Sequence, residues 1–324
     1  MNLTILTGKL YYPENAVGNM IGYATHAEET TKALKKRGIR FVTGNDEGAK
    51  PDLVLHQCPA HVAYKVEGLP NVLYTAYEAL DLPPEYIAQA KLMDLIVCTS
   101  SFTAKAFTRA LNHSVPVEVA PLGVDVKLFR YFKRKQTEPF RFLWVGAPNQ
   151  RKGWELLREA WRYGFANRAD CCLYVKTTGR DKLEVSGNVI VDSRNVTREE
   201  LCGIYHGAHC FIYPSYGEGF GLTLAEAMAT GLPCIVTPWG GVTDFADKST
   251  TFPLRYRVVP VSYGVPTTAA EADTRHMGEN MRWIWNNYNK ALNRGKDASR
   301  VINKGFTWAN TAEALNRLFE RFKR

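Results

Sequence analysis

Two glutamates and a cluster of glycines between residues 213 and 233 hold the most informative chemistry of this chain. Glu218 lies in the run Gly217-Glu218-Gly219-Phe220-Gly221, and Glu226 lies eight positions further on. The preceding apolar residues predict the end of a buried strand, and residues 222–230 predict a helix that stops at Gly231. The free N–H groups at such a helix start bind phosphate oxygens. A phosphate site flanked by two hydroxyl-accepting carboxylates suits a nucleotide sugar, with one carboxylate for the ribose and one for the sugar ring.

A second candidate anion site follows an apolar strand at residues 141–145. Gly146 opens a loop in which Arg151 and Lys152 stand directly before Gly153 and a helix predicted to start at Trp154. A guanidinium binds two oxygens at once and an ammonium acts as a point charge, so the pair suits a pyrophosphate. The alternative is a solvated basic pair, although cations at a helix start oppose the helix dipole.

Short apolar runs alternate with helix-like stretches along most of the chain. This alternation predicts parallel sheets with helices on both faces. A basic stretch at residues 127–141 interrupts the pattern, so we place a domain boundary near residue 136. The predicted domains are residues 1–135 and 136–305, and residues 306–324 predict a terminal amphipathic helix.

Ligands of open parallel sheets bind beyond the carboxyl ends of the strands. The glycine-bearing loops after the first strand (residues 8–22), after Val145 and after Tyr213 are therefore expected to face a cleft between the two domains.

Residues 208–241 resemble the donor site of the retaining glycosyltransferases of family 4, whose signature is a pair of glutamates separated by seven residues. Glu218 and Glu226 match that signature. The resemblance implies that Glu226 holds the ribose and Glu218 the transferred sugar. It also places the distal phosphate on the amides of Leu222 and Thr223.

The resemblance further implies the GT-B fold, in which two Rossmann-like domains face a cleft and the last helix crosses back to the N-terminal domain. It assigns the donor diphosphate to Lys152 and Arg151, and these two cations together with Glu218 are the catalytic candidates. The chain departs from the family at Ala147, where many members carry an arginine. The remaining donor-site candidates are loop residues, namely Gly146, Gly219, Phe220 and Gly221.

Several residues of the N-terminal half are candidate contacts for the acceptor or the transferred sugar. A run from Gly18 to Gly22 resembles the family's N-terminal glycine loop, whose small residues allow close backbone approach. Polar groups also end two predicted strands, where they serve either as ligand contacts or as satisfied structural residues. The six candidates are Gly18, Asn19, His56, Gln57, Tyr77 and Glu78.

The resemblance implies transfer of a glycosyl group from a UDP- or GDP-type sugar with retention of the anomeric configuration. It implies no metal and no cofactor, since cations and a helix dipole neutralise the leaving diphosphate. Three alternatives stay open: a transferase acting on DNA and of viral origin, a transferase acting on a glycan, lipid-linked sugar or small glycoside, and a non-catalytic nucleotide-sugar binding module.

The composition of the chain is compatible with each of these alternatives and does not distinguish them. The net charge of +9 and the isoelectric point near 9.1 fit an anionic partner such as nucleic acid or a membrane-associated glycan. The sequence has no apolar run of 18 residues, so no membrane-spanning helix is expected. Seven cysteines without a framework spacing, and an N-terminus that predicts a strand instead of a signal peptide, indicate a cytoplasmic protein.

Two further segments allow a functional and a structural interpretation. Cys202, His206, His209 and Cys210 do not have the spacing of a zinc site, and core packing explains them better because a helix running into a strand would aim them in different directions. Residues 127–135 mix cations with aromatics, which fits either phosphate and base contacts or a linker with packed aromatics and solvated charges.

Overall fold

The computed structural model describes residues 4–10, 21–42, 50–177, 183 and 187–323. The strands are β1 (Thr4–Leu10), β2 (Arg40–Val42), β3 (Leu53–Gln57), β4 (Asn71–Thr75), β5 (Leu95–Cys98), β6 (Val117–Val119), β7 (Phe140–Val145), β8 (Cys171–Lys176), β9 (Val189–Asp192), β10 (Cys210–Tyr213), β11 (Cys234–Val236), β12 (Phe252–Pro253), β13 (Tyr256–Ser262) and β14 (Pro266–Ala272). The α-helices are α1 (Ile21–Lys36), α2 (Pro84–Ala90), α3 (Ser101–Leu111), α4 (Trp154–Gly164), α5 (Arg198–His206), α6 (Leu222–Ala229), α7 (Thr274–Asn286), α8 (Tyr288–Gly305) and α9 (Trp308–Phe319).

The chain divides into two compact units. The first unit consists of Met1–Gly123, Val261–Thr268 and Phe306–Arg324. The second unit consists of Val124–Pro260 and Ala269–Gly305. Residues 124–135, which the sequence analysis assigned to the first domain, group with the second unit because side chains such as Phe129 and Arg134 are buried there.

The first unit is built on a six-stranded parallel sheet in the order β2-β1-β3-β4-β5-β6. Its core is apolar, with Leu73 and Ile96 from the sheet packed together with Phe107 of α3. Helix α3 begins where the Ser100 hydroxyl accepts a hydrogen bond from the backbone N–H of Thr103 at 3.1 Å, a standard helix cap.

The terminal helix α9 belongs to the first unit, where it packs on α1. Leu315 and Phe319 are fully buried, and the Thr311 hydroxyl donates to the carbonyl of Pro121 at 2.8 Å. The last helix therefore completes the unit with which the chain begins, as the predicted fold requires.

The second unit is built on a six-stranded parallel sheet in the order β9-β8-β7-β10-β11-β12. Strand β7 is central: β8 and β9 follow it on one side of the sheet, and β10, β11 and β12 follow on the other side. The core holds large aromatic side chains, including Phe142, Trp144 and Trp161. Two doubly wound parallel sheets confirm the predicted α/β architecture.

The structure adds elements that the sequence pattern did not indicate. Strands β13 and β14 pair with each other as a separate two-stranded sheet. Helices α7 and α8 follow directly, and Met277 and Ile284 of α7 pack into the core of the second unit. None of the helices in the described part of the chain is long and apolar enough to cross a membrane. All seven cysteines are buried, and none of them forms a disulfide bond.

Candidate functional site

The candidate donor site lies at the carboxyl ends of β7 and β10 in the second unit. These neighbouring strands mark the point where the strand order reverses direction, which is where open α/β sheets bind ligands. The loop at residues 146–153 follows β7, and the loop at residues 214–221 follows β10. The sequence predicted both loops, and the parallel pairing of β7 with β10 brings them together.

Backbone and side-chain hydrogen bonds fix the loop after β7. The Asn149 side chain accepts from the backbone N–H of Lys152 at 3.0 Å, and the Trp144 indole donates to the Lys152 carbonyl at 3.3 Å. The backbone N–H of Tyr216 donates to the carbonyl of Arg151 at 2.8 Å, which ties this loop to the loop after β10. Gly146 lies close to the Trp144 ring and to the aliphatic part of the Lys152 side chain.

Arg151, Lys152 and Glu218 form an ion triad in which the carboxylate is buried and the two cations are partly buried. Lys152 Nζ lies 2.7 Å from Glu218 Oε1, and Arg151 Nη1 lies 3.2 Å from Glu218 Oε2. Arg151 also donates to the carbonyl of Gly217 at 3.2 Å, and Lys152 Nζ stands 5.6 Å from the centre of the Tyr213 ring. The structure thus brings together the three residues that the sequence analysis assigned to catalysis.

The triad carries a surplus of positive charge. Burial by itself would raise the pKa of Glu218, but Lys152 and Arg151 outweigh burial and lower the pKa from 4.5 to about 2. Glu218 is therefore ionised at neutral pH, and the three groups together carry a net charge of about +1. A carboxylate accepts about four hydrogen bonds, so Glu218 keeps acceptor capacity beyond its two cations.

The start of α6 adjoins the triad. Gly221 is the N-cap residue and no side chain caps this helix, while Leu222 and Thr223, which supply its first N–H groups, are half-buried. Gly219 and Phe220 are buried in the loop, where the Phe220 ring packs on Phe245 at 5.2 Å between ring centres. An uncapped helix start has N–H groups available to anionic oxygens.

Glu226 lies further along α6 in a different environment. Its side chain is only 3% exposed, with Arg198 Nη2 at 3.8 Å from Oε1 and the Tyr205 hydroxyl donating to Oε2 at 3.3 Å. Tyr205 also donates to the carbonyl of Thr223 at 3.1 Å. Burial raises the pKa of Glu226 from 4.5 to about 7, against the lowering influence of Arg198 and Tyr205.

Sequence reasoning missed Arg198 and Tyr205. Both belong to α5, whose start is visible in the sequence because Thr197 and Glu200 form a reciprocal capping box. That signal places Arg198 at a helix start, but it does not show that the helix packs beside α6.

Two acceptor candidates, His56 and Gln57, are buried at the end of β3 in the first unit. His56 Nε2 lies 3.3 Å from Asn71 Oδ1, and burial lowers the pKa of His56. Gln57 donates to the Thr31 hydroxyl of α1 at 3.2 Å. Successive strand residues face opposite sides of the sheet, so these two side chains contact different elements.

The other acceptor candidates follow β4 or precede α1. The Tyr77 hydroxyl donates to the carbonyl of Tyr263 at 3.3 Å, and Glu78 is half-buried beside it. Gly18 and Asn19 lie outside the residues that the structure describes. The roles of all six acceptor candidates stay predictions.

The structure does not bring the side chains of Cys202, His206, His209 and Cys210 together as one group. Cys202 and His206 share one face of α5 with their side chains 3.6 Å apart, so the expectation that all four point in different directions is wrong for this pair. His209 instead forms hydrogen bonds with the Thr137 hydroxyl and with the backbone N–H of Arg141. Within the described ranges, no group of three or more metal-ligating side chains comes together.

Residues 127–135 follow the linker interpretation only in part, and phosphate and base contacts stay a prediction. Phe129 packs in the second unit as that interpretation expects, but the charge of Arg134 is buried instead of solvated. Tyr131 and Phe132 remain 44% and 43% exposed.

Comparison with solved structures defines the fold class. The chain superposes on sucrose-phosphate synthase from Thermosynechococcus elongatus with a TM-score of 0.70, at 17% identity and 99% coverage of both chains. WaaG, a glycosyltransferase involved in lipopolysaccharide biosynthesis, gives a TM-score of 0.67 at 15% identity, with 97% of this chain and 99% of WaaG covered. The chain therefore has the two-domain, Rossmann-like GT-B fold.

Comparison of sequences points to the second unit. Residues 139–262 match the family model described as "Glycosyl transferases group 1". A D-inositol 3-phosphate glycosyltransferase of Pseudarthrobacter chlorophenolicus is 26% identical over 211 residues, which are 56% of this chain and 49% of that protein. Mannosylfructose-phosphate synthase of Agrobacterium fabrum is 31% identical over 151 residues, which are 45% of this chain and 28% of that protein. The chain thus spans about half, or less, of the length of these curated relatives.

Anabaena HepE has a similar fold. Its structure in complex with UDP-glucose matches this chain with a TM-score of 0.68 at 12% identity, covering 99% of this chain and 100% of HepE.

Proposed function

We propose that this protein is a glycosyltransferase that moves a sugar from a nucleoside diphosphate sugar to an acceptor hydroxyl, with retention of configuration. The observation that carries the proposal is the Arg151–Glu218–Lys152 triad beside the uncapped start of α6 at the switch point of the second sheet. The match of residues 139–262 to the glycosyltransferase group 1 model supports it. The UDP-glucose that HepE binds on a similar fold makes UDP-sugars the first donors to test.

The charge of the site favours a diphosphate. The triad carries a net charge of about +1, and the start of a helix adds roughly half a positive charge. Arg151 and Lys152 would hold the diphosphate oxygens, and the N–H groups of Leu222 and Thr223 would hold the distal phosphate. The proposed site uses these groups, with no bound metal or cofactor, to stabilise the leaving diphosphate.

The two glutamates would contact opposite ends of the donor. Glu226 accepts hydrogen bonds from the ribose hydroxyls, while Glu218 accepts from the transferred sugar and orients the two cations that it already contacts. In the proposed step the bond between the anomeric carbon and the phosphate oxygen breaks, and the acceptor oxygen bonds that carbon from the same face. The acceptor proton passes to the departing phosphate oxygen, so no separate general base is needed.

The first experiment measures donor binding by thermal shift and calorimetry with UDP-, GDP- and ADP-sugars. A ligand at 100 times its dissociation constant should stabilise the protein by about 2.7 kcal/mol. Lys152→Met should weaken binding by about 10- to 100-fold, since a charge-assisted hydrogen bond contributes roughly 1.5–3 kcal/mol. The unliganded variant should also melt lower, because the buried Glu218 carboxylate loses an ionic partner.

Arg158→Met is the matched control, because it removes one cation of a more exposed pair with Glu155 on α4. It should bind the donor as the parent protein does. Turnover is then measured as release of nucleoside diphosphate in the presence of an acceptor library, and NMR gives the configuration of the product. Absence of binding by every sugar nucleotide would refute the proposal, and binding without turnover on any acceptor would reduce the protein to a binding module.

A further inference from the structure

A buried arginine outside the proposed donor site joins the ends of two helices that form it. Arg134 is 7% exposed, and each of its guanidinium nitrogens donates hydrogen bonds. Nε donates to the carbonyl of Ala208 at 3.3 Å, and Nη1 donates to the carbonyls of Phe132 at 3.1 Å and Thr230 at 2.5 Å. Nη2 donates to the carbonyl of Tyr205 at 3.1 Å and to the Thr230 hydroxyl at 2.9 Å. All five acceptors are neutral.

Four of these five acceptors lie at the carboxyl ends of α5 and α6, and the fifth is the Phe132 carbonyl in the segment that carries Arg134 itself. Tyr205 is in the last turn of α5 and Ala208 lies just beyond it, while Thr230 is the residue that caps α6. Carbonyls at helix ends lack partners within the helix and carry partial negative charge, so a guanidinium suits both ends at once. One side chain therefore holds α5 and α6 at a fixed separation.

The same two helices carry the groups around Glu226. Tyr205 makes both connections, because its carbonyl accepts from Arg134 and its hydroxyl donates to Glu226. Arg198, at the start of α5, lies 3.8 Å from the same carboxylate. The hydrogen bonds therefore run from Arg134 through a single residue to the carboxylate that we assign to the ribose.

We propose that Arg134 is a positioning residue for Glu226: by fixing the end of α5 against the end of α6, it sets the contacts of Tyr205 and Arg198 with the ribose-binding carboxylate and so controls donor affinity. The inference rests on the proposed function, because it takes Glu226 to be a donor contact. A purely structural role predicts lower stability alone, whereas a positioning role also predicts altered donor binding.

The test compares UDP-glucose affinity, or that of whichever sugar nucleotide the parent protein binds, in Arg134→Lys and Arg134→Met across a range of pH. Arg134→Met should bind the donor at least tenfold more weakly than the parent protein. The pH midpoint of binding should also move upward, because Tyr205 and Arg198 both lower the pKa of Glu226 and would contact it less well. Lysine has three donors on one nitrogen and should restore only part of the affinity.

A double-mutant cycle with Tyr205→Phe separates the two roles. If Arg134 acts through Tyr205, substituting Arg134 in the Tyr205→Phe background should change donor affinity by less than half as much, in logarithmic terms, as in the parent. Arg294→Met is the matched control, because Arg294 lies in the same unit and makes similar contacts. Its guanidinium donates to the backbone carbonyl of Thr251 and lies over the aromatic ring of Phe252. It should lower stability and leave donor affinity unchanged.

Each outcome decides the inference. Reduced melting temperature with unchanged affinity and unchanged pH midpoint would overturn it and leave the proposed function intact. Should Arg134→Met fail to fold, Arg134→Lys gives the same two readouts, and unchanged values there would overturn the inference equally. If the parent protein itself binds no sugar nucleotide, the proposed function fails first and the inference fails with it.

Discussion

The pKa values of Glu218, in the loop after β10, and Glu226, in helix α6, shift in opposite directions because the neighbours of the two carboxylates differ. Both are nearly buried, with Glu218 6% and Glu226 3% exposed. Glu218 contacts two cations at 2.7 and 3.2 Å, and its pKa falls to about 2. Glu226 has one cation at 3.8 Å, and burial raises its pKa to about 7. One carboxylate is therefore charged throughout the physiological range, and the other gains or loses its proton within it.

Donor affinity should depend on pH through Glu226. An ionised carboxylate accepts hydrogen bonds from both ribose hydroxyls, and a protonated one accepts them poorly. If only the ionised form binds, affinity falls about tenfold for each pH unit below the pKa, which is about 7. Calorimetry with UDP-glucose tests this without interference, since a sugar-bearing diphosphate lacks the terminal phosphate proton that titrates near pH 6.

Glu226→Gln is the control for this dependence, and it should bind the donor weakly at every pH. The stability of the Glu226→Gln variant provides a second test of the raised pKa. Between pH 4.5 and about 7 the folded state keeps a proton on Glu226 that the unfolded state loses, so the parent protein loses stability as pH rises through that window. At pH 8 unliganded Glu226→Gln should be the more stable by up to about 3 kcal/mol. A less stable variant at that pH would contradict the raised pKa.

The sequence singled out residues that the structure brings together, but it did not predict the contacts between them. Arg151, Lys152 and Glu218 stand out because cations and a carboxylate sit in glycine-bearing loops after apolar strands. Their mutual ion pairs were not predicted, since sequence spacing does not show that loops 66 positions apart touch. Arg198 and Tyr205 were not predicted for the same reason, since each acts through a partner from another element. Arg134 was noted only as one cation of residues 127–135, and its contacts with α5 and α6 were not predicted.

At the scale of elements, apolar strands and glycine-ended helices were predictable from local pattern. Strands β7 and β10 are short apolar runs, and α6 ends at Ala229, close to the predicted stop. Strand β13 gave no such signal, because most of its residues are exposed and Pro260 interrupts its short apolar stretch. Local rules work where burial imposes a pattern, and they fail on exposed strands.

Gly153 is the element-level feature on which the two cations depend. It ends the turn of residues 150–152 in the left-handed conformation, with φ of 67°, and it opens α4. A Cβ there would collide with the carbonyl oxygen of Pro214, in the loop after β10. Gly153→Ala should therefore lower the free energy of unfolding by about 2–4 kcal/mol through backbone strain and overpacking.

Donor affinity should fall with it, because Lys152 and Arg151 directly precede the displaced residue. Gly203→Ala is the matched control, since that glycine lies in α5 with no atom near its missing Cβ. It should keep donor affinity and add up to about 1 kcal/mol of stability, the helix preference of alanine over glycine. Chemical denaturation and calorimetry measure both quantities, and equal behaviour of the two variants would show that Gly153 has no special role.

At the scale of the whole molecule, alternating strands and helices predicted two doubly wound sheets but not their strand orders. The order decides which loops share a site, because the switch between β7 and β10 is what brings residues 146–153 beside residues 214–221. Strand order depends on which apolar faces pack together, and that is a property of the assembled sheet. The family resemblance supplied what local pattern did not, namely a terminal helix that returns to the first unit.

The division into two units predicts that stability and donor binding can be changed separately. Leu315 of α9 is fully buried in the first unit, whereas the triad and Glu226 belong to the second. Leu315→Ala should lower the free energy of unfolding by about 2–5 kcal/mol, the usual cost of a large-to-small change in a core. Its donor dissociation constant, measured well below the melting temperature, should stay within about twofold of the parent value.

Arg317→Ala gives the baseline for that measurement. Arg317 lies two positions further along α9, is 72% exposed and pairs with Glu313, so removing it should leave both stability and affinity nearly unchanged. A donor affinity that collapses in Leu315→Ala while the protein is still folded would mean that packing of the first unit determines the geometry of the proposed phosphate site. Retained affinity at reduced stability would instead show that the packing of the first unit does not control the proposed donor site, whose ion triad, α6 start and Arg134 contacts all belong to the second unit.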